Sequence, residues 1–484
     1  MTGPTLTLTL RDGTSIVTAD NIERISTYVL LEQEDWFEDE LALVRRLARP
    51  SLRMLDIGSN IGIYSLAAAR AAGGDARIWA FEPTPEAGGM LRQSAALNGF
   101  TGIEVVPIAL GDRTGEAVLV SDGDSELNAI APEGDGPRIM VSRLDDFAAA
   151  AALPAIEFVK LDVEGSEAAV VAGGEAFFRD QSPLVMFEIT SPQGVTMAAA
   201  DRLRALGYGI YRLVVEPGAL MPDEAQSYAF RLNLFACKPD RAARLAADGL
   251  LAGASRTPRP ADRDEIAALV AAPPALAPAS RRMRELALGL DMDDAHAAAL
   301  GYYAASRRPG ADADERVGAL SAAFAAAEAA VAARRSLPRV MTAARVAYAW
   351  GRRERAVAHA RWLVDAVLRG DRIAIDEPFV PALAAYEAWS PADGPGAWIN
   401  AMALESLWRW KSFSDLFVDP TMPQGHPRDL LRKFGREAPE FERRHQLGMM
   451  FRKLASAPRA HPLLVRDGPD NRNPGYWGGV SGAA

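Results

Sequence analysis

Leu52-Arg-Met-Leu-Asp56-Ile-Gly58-Ser-Asn60-Ile-Gly62-Ile-Tyr64 is the stretch from which the fold of this chain can be read. Met54, Leu55 and Ile57 have the near-continuous hydrophobicity of a strand buried on both faces. Ser59 or Asn60 is placed to cap a helix through the alanine-rich segment to Ala72, and Gly73-Gly74 would end it. This is the opening βα unit of a nucleotide-type α/β fold.

Its carboxylate narrows the cofactor. A dinucleotide fingerprint, G-x-G-x-x-G, needs a middle glycine for close approach to a pyrophosphate. Here the pattern is Asp56-x-Gly58-x-x-x-Gly62, and Asn60 stands where that glycine would be. A negative Asp56 at the strand tip would repel a pyrophosphate and suit a cationic ligand without phosphate. S-adenosylmethionine is such a ligand. Glu82, in Trp79-Ala-Phe-Glu82-Pro83, ends the next strand where an acidic residue binds a ribose diol, roughly 20 residues on.

With 484 residues the chain is long enough for about three units of roughly 150. It carries 53 basic and 63 acidic residues, a net charge of −10, so no cationic field favours a nucleic acid. The one cysteine, Cys237, excludes an internal disulfide framework and a multi-cysteine zinc site, and reads as a buried small hydrophobe. No basic-then-apolar leader opens the chain and no uninterrupted apolar run reaches about 18 residues. A cytoplasmic enzyme without a transmembrane segment is the expectation.

Around the opening unit, Thr5 to Leu10 alternates with period two, and Arg11-Asp12-Gly13 turns it into a β-hairpin with Ser15-Ile-Val-Thr. Trp36, Phe37, Leu41, Val44 and Leu47 predict a helix from Glu34 to Ala48 whose aromatics pack on the core. Strands are expected at residues 77–81, 103–110, 156–165 and 184–189, with helices between them. An antiparallel pair is expected over 208–215 and 230–238. The Gly-rich, acidic span 116–141 is too long for a plain connection and reads as an inserted hairpin or lid. Strands alternating with helices mean a doubly wound sheet in residues 1–254. A Pro/Ala-rich linker is expected over 255–278, an α-helical domain with helical-hairpin character over 279–467, and a disordered tail over 468–484. The helical domain is a candidate surface for a protein partner.

In open α/β sheets ligands bind beyond the carboxyl ends of the strands. Asp56, Glu82, Asp162 with Glu164, and Glu188 all sit at such ends. Strand alternation puts Lys160, Asp162 and Glu164 on one face, and a lysine inside a doubly covered strand needs a carboxylate partner. All five histidines lie beyond residue 278, so a base in the first half must be a carboxylate, lysine or tyrosine. Asp162 is the first candidate, held by Lys160, with Glu164 or Glu188 orienting the acceptor. A divalent metal on Asp162 and Glu188 is chemically conceivable, but the spacing does not demand one. No Asn-Pro-Pro-aromatic motif follows the fourth strand, which tells against methylation of base amines.

The order Asp-Ile-Gly-Ser-Asn-Ile-Gly, Ala-Phe-Glu-Pro, Ala-Leu-Gly-Asp and Val-Lys-Leu-Asp-Val-Glu-Gly-Ser-Glu resembles the FkbM family of S-adenosylmethionine-dependent methyltransferases over residues 50–190. The resemblance implies a class I methyltransferase fold and O-methylation of a glycan or small natural-product hydroxyl. It implies that Asp56, Gly58 and Gly62 form the methionine-side loop, that Glu82 binds the ribose, that Asp112 contacts adenine, and that Asp162 and Glu164 lie near the transferred methyl; Asn60, inside that loop, is a further candidate for cofactor binding. Two other readings share the sequence. A nicotinamide-dependent dehydrogenase has the same fold but fails on Asn60 and Asp56. A non-catalytic scaffold carrying a helical interaction module would keep the cofactor loop without turnover.

Overall fold

The structure, a computed structural model, describes residues 3–120, 129–131, 136–191, 194–224, 228–253, 256, 258–369, 375–388, 395–418, 439–453 and 461–480. The chain forms two units that interleave in sequence. The first holds residues 1–213, 222–250 and 467–473; the second holds 214–221, 251–466 and 474–484.

Seven strands of the first unit build its central sheet: β1 (Leu52–Ile57), β2 (Ala76–Phe81), β3 (Ile103–Val106), β4 (Phe158–Leu161), β5 (Leu184–Glu188), β6 (Gly209–Val214) and β7 (Asn233–Cys237). They lie side by side in the order β3-β2-β1-β4-β5-β7-β6. β1 to β5 run parallel, while β7 is antiparallel to both β5 and β6. The apolar runs form these strands because both faces are covered: Leu55, Val159 and Val185 on one face and Met54, Phe158 and Met186 on the other are all buried. Cys237 is buried in β7, and burial pushes its thiol up to about 12.

The N-terminal hairpin pairs Thr5–Thr9 with Ser15–Ala19 as the alternation predicts. Other expectations need correction. The strand expected over 103–110 breaks at Pro107, which has no N–H for a ladder. Its second part, Ala109–Gly111, joins a separate four-stranded sheet with Gly115–Val120, Ala129–Ala131 and Arg138–Arg143, so the span read as an inserted hairpin does pair with itself. The rest of that span, 121–128 and 132–135, lies outside the described residues. The helix expected from Glu34 starts only at Glu40. Glu34 is the left-handed cap (φ 52°) of a preceding helix, Ile25–Gln33, and Asp35 accepts from the Trp36 N–H at 2.9 Å, which turns the chain away from helix.

The second unit is helical. The stretch expected to be a linker, 255–278, carries the helix Arg263–Ala271, started by a capping box between Asp262 and Glu265. The expected helical hairpin is present as Leu337–Ala349 and Arg353–Leu368, turning at Gly351 (φ 76°). Ala313–Ala333 is, among the described residues, the one helix long and apolar enough to cross a membrane. It packs along Ala295–Ser306 and buries Val317, Leu320, Ala323, Ala327 and Val331, as a core helix does. Residues 214–221 are held in this unit by Glu216, which accepts from Arg345 Nε (2.7 Å) and the Tyr303 hydroxyl (2.8 Å). The tail expected to be disordered instead forms a helix, Pro474–Val480. Before it, Asn473 is bonded to Thr9, its side chain accepting from the backbone N–H at 2.8 Å and donating to the carbonyl at 3.0 Å.

Candidate active site

The carboxyl ends of β1, β2, β4 and β5 gather the acidic residues expected there. Gly58 and Gly62 make the turn after β1, with φ of 77° and 86°. A Cβ on Gly58 would stand 1.8 Å from the Asp162 carbonyl oxygen, so only glycine lets the loop press against the end of β4. Neither Ser59 nor Asn60 caps the following helix, Ile63–Ala71; Gly62 occupies that position. Asp56 does the capping from below: its Oδ2 accepts the Ser65 N–H (3.1 Å) and hydroxyl (2.6 Å). Asp56 is completely buried, and its Oδ1 has no hydrogen-bond partner among the described residues. Burial raises its pKa, opposed by Lys160, whose Nζ lies 3.8 Å from Oδ1.

Lys160 is the hub. Its ammonium sits 3.0 Å from Asp162 Oδ2, donates to the Gly58 carbonyl at 2.8 Å, and lies 5.5 Å from the centre of the Tyr64 ring. Burial alone would lower its pKa, but the carboxylates of Asp162, Asp56 and Glu38 outweigh it and the net shift is upward. The carboxylate partner expected for this lysine is therefore Asp162 first and Asp56 second.

Glu82 is nearly buried. Its Oε1 accepts the Thr84 N–H (2.8 Å) and hydroxyl (2.6 Å), and its Oε2 accepts the Asn60 N–H (2.9 Å). Those bonds aim the carboxylate across the glycine turn and leave acceptor capacity on both oxygens. Asp112 is exposed at the end of Ala109–Gly111, in the four-stranded sheet, and no described contact joins it to the Asp56–Glu82 group.

Asp162, Glu164 and Glu188 each offer an oxygen within 4.8 Å of the other two. Three carboxylates so close cannot all be charged without cost, and protons relieve them. Burial, then the charge of Asp162, raises Glu188 to about 10. Burial, then Asp162 and Glu167, raises Glu164 to about 8. At neutral pH this leaves Glu188 as a hydrogen-bond donor beside Asp162. Glu188 Oε1 accepts from the Thr190 hydroxyl at 2.6 Å, and its buried Oε2 has no other partner among the described residues. Oxygen donors of this kind could also hold a divalent cation.

Two further residues reach this group that the sequence reading did not single out. Glu38 comes from the segment between the first two helices and accepts from the Tyr64 hydroxyl through Oε2. Asn233 Nδ2, at the start of β7, donates to the same oxygen at 3.1 Å. Burial, then the charge of Asp162, raises the Glu38 pKa. Only Asn233, in register opposite Glu188 at the end of an antiparallel strand, was placed where the topology could have pointed to it.

The residues present fit S-adenosylmethionine: a turn with no room for a side chain at Gly58 or Gly62, a buried carboxylate with an unsatisfied oxygen, and Glu82 bonded across the turn to the Asn60 N–H. The chain is 28% identical over 152 residues to the 2-O-methyltransferase NoeI of Sinorhizobium fredii (strain NBRC 101917 / NGR234), a match covering 28% of this chain and 61% of that protein. The chain thus spans about three-fifths of that relative's length. Among solved structures it is similar to a methyltransferase FkbM from Methylobacillus flagellatus KT, with 19% identity, a TM-score of 0.27, and coverage of 38% of this chain and 43% of that one. A SAM-dependent O-methyltransferase from Thermotoga maritima is 11% identical with a TM-score of 0.26, covering 46% of this chain and 73% of that one. The first unit has the doubly wound, class I methyltransferase-like fold, and residues 56–210, from the tip of β1 into β6, match the family described as the methyltransferase FkbM domain.

Proposed function

We propose that the chain is an S-adenosylmethionine-dependent methyltransferase acting on a hydroxyl of a glycan or small natural product. The observation that carries this is the alignment of Asp56, Glu82, Lys160 and Asp162 along adjacent strand tips around one glycine turn. The cofactor, when bound, supplies an electrophilic methyl group. Gly58, Asn60 and Gly62 shape its loop, Glu82 takes the ribose hydroxyls, and Asp56 holds the helix behind the loop. Most of the remaining work is alignment of the acceptor. A hydroxyl becomes a useful nucleophile as its proton leaves, and Asp162 receives that proton, a reading supported by Lys160 at 3.0 Å, which balances the charge. Glu188, protonated at neutral pH, donates a hydrogen bond rather than competing as a base.

Isothermal titration of the full chain with S-adenosylmethionine tests the cofactor half of this reading. Glu82→Ala should weaken binding by about 1.5–3 kcal/mol. Asp162→Asn should bind nearly as tightly as the native chain and lose at least about a hundredfold in turnover. An affinity unchanged in Glu82→Ala removes the ribose assignment. Near-normal turnover in Asp162→Asn makes that residue structural.

A further inference from the structure

The family match begins at Asp56, yet the carboxyl cluster is completed from outside the matched span. Segment 35–39 contributes Glu38 and β7 contributes Asn233, and both reach the site through side-chain bonds. Glu38 Oε2 accepts from Tyr64, whose ring faces the Lys160 ammonium, and from Asn233, which sits opposite Glu188. Its Oε1 accepts the Trp36 indole N–H at 3.0 Å, which fixes the plane of that ring beside the cluster.

Trp36 does not pack as a core aromatic. It and Phe37 are only partly buried and meet each other with ring centres 4.7 Å apart. The segment is nonetheless held firmly at its root. Arg11 N–H donates to the Glu34 carbonyl at 2.8 Å, Arg472 N–H donates to Glu34 Oε1 at 2.8 Å, and Arg45 grips both oxygens of Asp35 at 2.9 and 2.6 Å. A part-exposed indole, pinned in orientation next to carboxyl and amide groups, matches what a sugar ring needs: an apolar face to stack on and acceptors for its hydroxyls. The charge selects among sugars. Lys160 is already engaged by Asp162 at 3.0 Å and by the Gly58 carbonyl at 2.8 Å, so a phosphate or carboxylate on the acceptor would find no free ammonium here, whereas a neutral sugar needs none.

Resting on the methyltransferase reading, we propose that segment 35–39 is the acceptor-recognition element of this site, with Trp36 as the stacking surface for a neutral sugar ring and Glu38, together with Asn233, orienting its hydroxyls. The element is pre-formed, so recognition needs no ordering of the loop on binding.

The test uses the full chain, S-adenosylmethionine, and a panel of neutral methyl glycosides with a matched uronide and sugar phosphate, reading S-adenosylhomocysteine release. The native chain should methylate neutral members and discriminate against the charged ones. Trp36→Ala should raise the acceptor KM by about tenfold or more, the scale of one lost ring contact, with kcat and S-adenosylmethionine affinity little changed. Trp36→Phe, which keeps a ring, should recover most of that loss. Glu38→Gln, which keeps the shape but gives up one acceptor oxygen, should raise the acceptor KM with S-adenosylmethionine affinity little changed. If Trp36→Ala does not fold, Trp36→Phe and Glu38→Gln carry the measurement. An unchanged KM in the Trp36 variants, or a preference for the charged glycosides, overturns the proposal and leaves the methyltransferase reading intact. Cofactor binding without transfer to any neutral glycoside also overturns it. Failure of the native chain to bind S-adenosylmethionine overturns the reading beneath it.

Discussion

Asp162 and Glu188 end neighbouring strands and differ in the company they keep. Asp162 faces an ammonium at 3.0 Å, whereas Glu188, mostly buried, accepts from the Thr190 hydroxyl through Oε1 and stands against the charge of Asp162. The folded chain therefore keeps a proton on Glu188 from its ordinary value near 4.5 up to about 10, and a second on Glu164 up to about 8. Across that window the unfolded chain has released both protons. It binds fewer than the folded one, so stability falls as the pH rises. Glu188→Gln fixes the neutral form and should flatten the fall. Urea midpoints at pH 6 and pH 9 for the native chain and the variant check this; equal pH dependence in the two would show that Glu188 carries no such proton.

At the level of elements, the turn after β1 is the least tolerant. Gly58→Ala would put a methyl group 1.8 Å from a backbone oxygen at a φ of 77°. It should cost at least about 2–3 kcal/mol in urea unfolding and abolish cofactor binding. Most of the sheet could be read in advance, because strands covered on both faces are apolar nearly throughout, as 184–187 is and as 54–57 and 158–161 are apart from the facing pair Asp56 and Lys160. Strand tips could be read for the same reason: the first charge after such a run marks the edge of the core, and parallel topology collects those charges at one end. What failed was decided by single backbone positions. Pro107 moved half a strand to another sheet, Glu34 in the left-handed region delayed a helix by six residues, and Gly62 took the capping place assigned to Ser59 or Asn60. The linker was misread because proline and alanine suggest disorder unless a capping box such as Asp262–Glu265 starts a helix. Glu38 was hidden for a different reason. Its local pattern is that of any surface acid, and only the tertiary fold brings it to Tyr64 and Asn233.

On the scale of the molecule, each unit borrows a short piece of chain from within the sequence span of the other: 214–221 serves the second, and 467–473 serves the first. The borrowed piece in the first unit is bonded in place. Asn473 meets both backbone groups of Thr9, and its amide also donates to Glu34 Oε1 at 3.3 Å, beside the Arg472 N–H bond to the same oxygen. Asn473→Ala leaves Thr9 without these partners and should cost about 1–3 kcal/mol in chemical denaturation of the full chain. A midpoint unchanged from the native one would show that the contact is dispensable. Because Glu34 is the root of the segment that presents Trp36 and Glu38, the variant should also loosen that segment, visible as faster amide hydrogen exchange over 34–39. The arrangement also has a consequence in time. A ribosome that has released residue 250 must still add roughly 220 residues before 473 emerges, roughly 10–40 s at about 5–20 residues per second. For that interval the nascent sheet can close around its core while Thr9 and Glu34 wait for their partners, so the anchor of segment 34–39 is the last part of the first unit to be made.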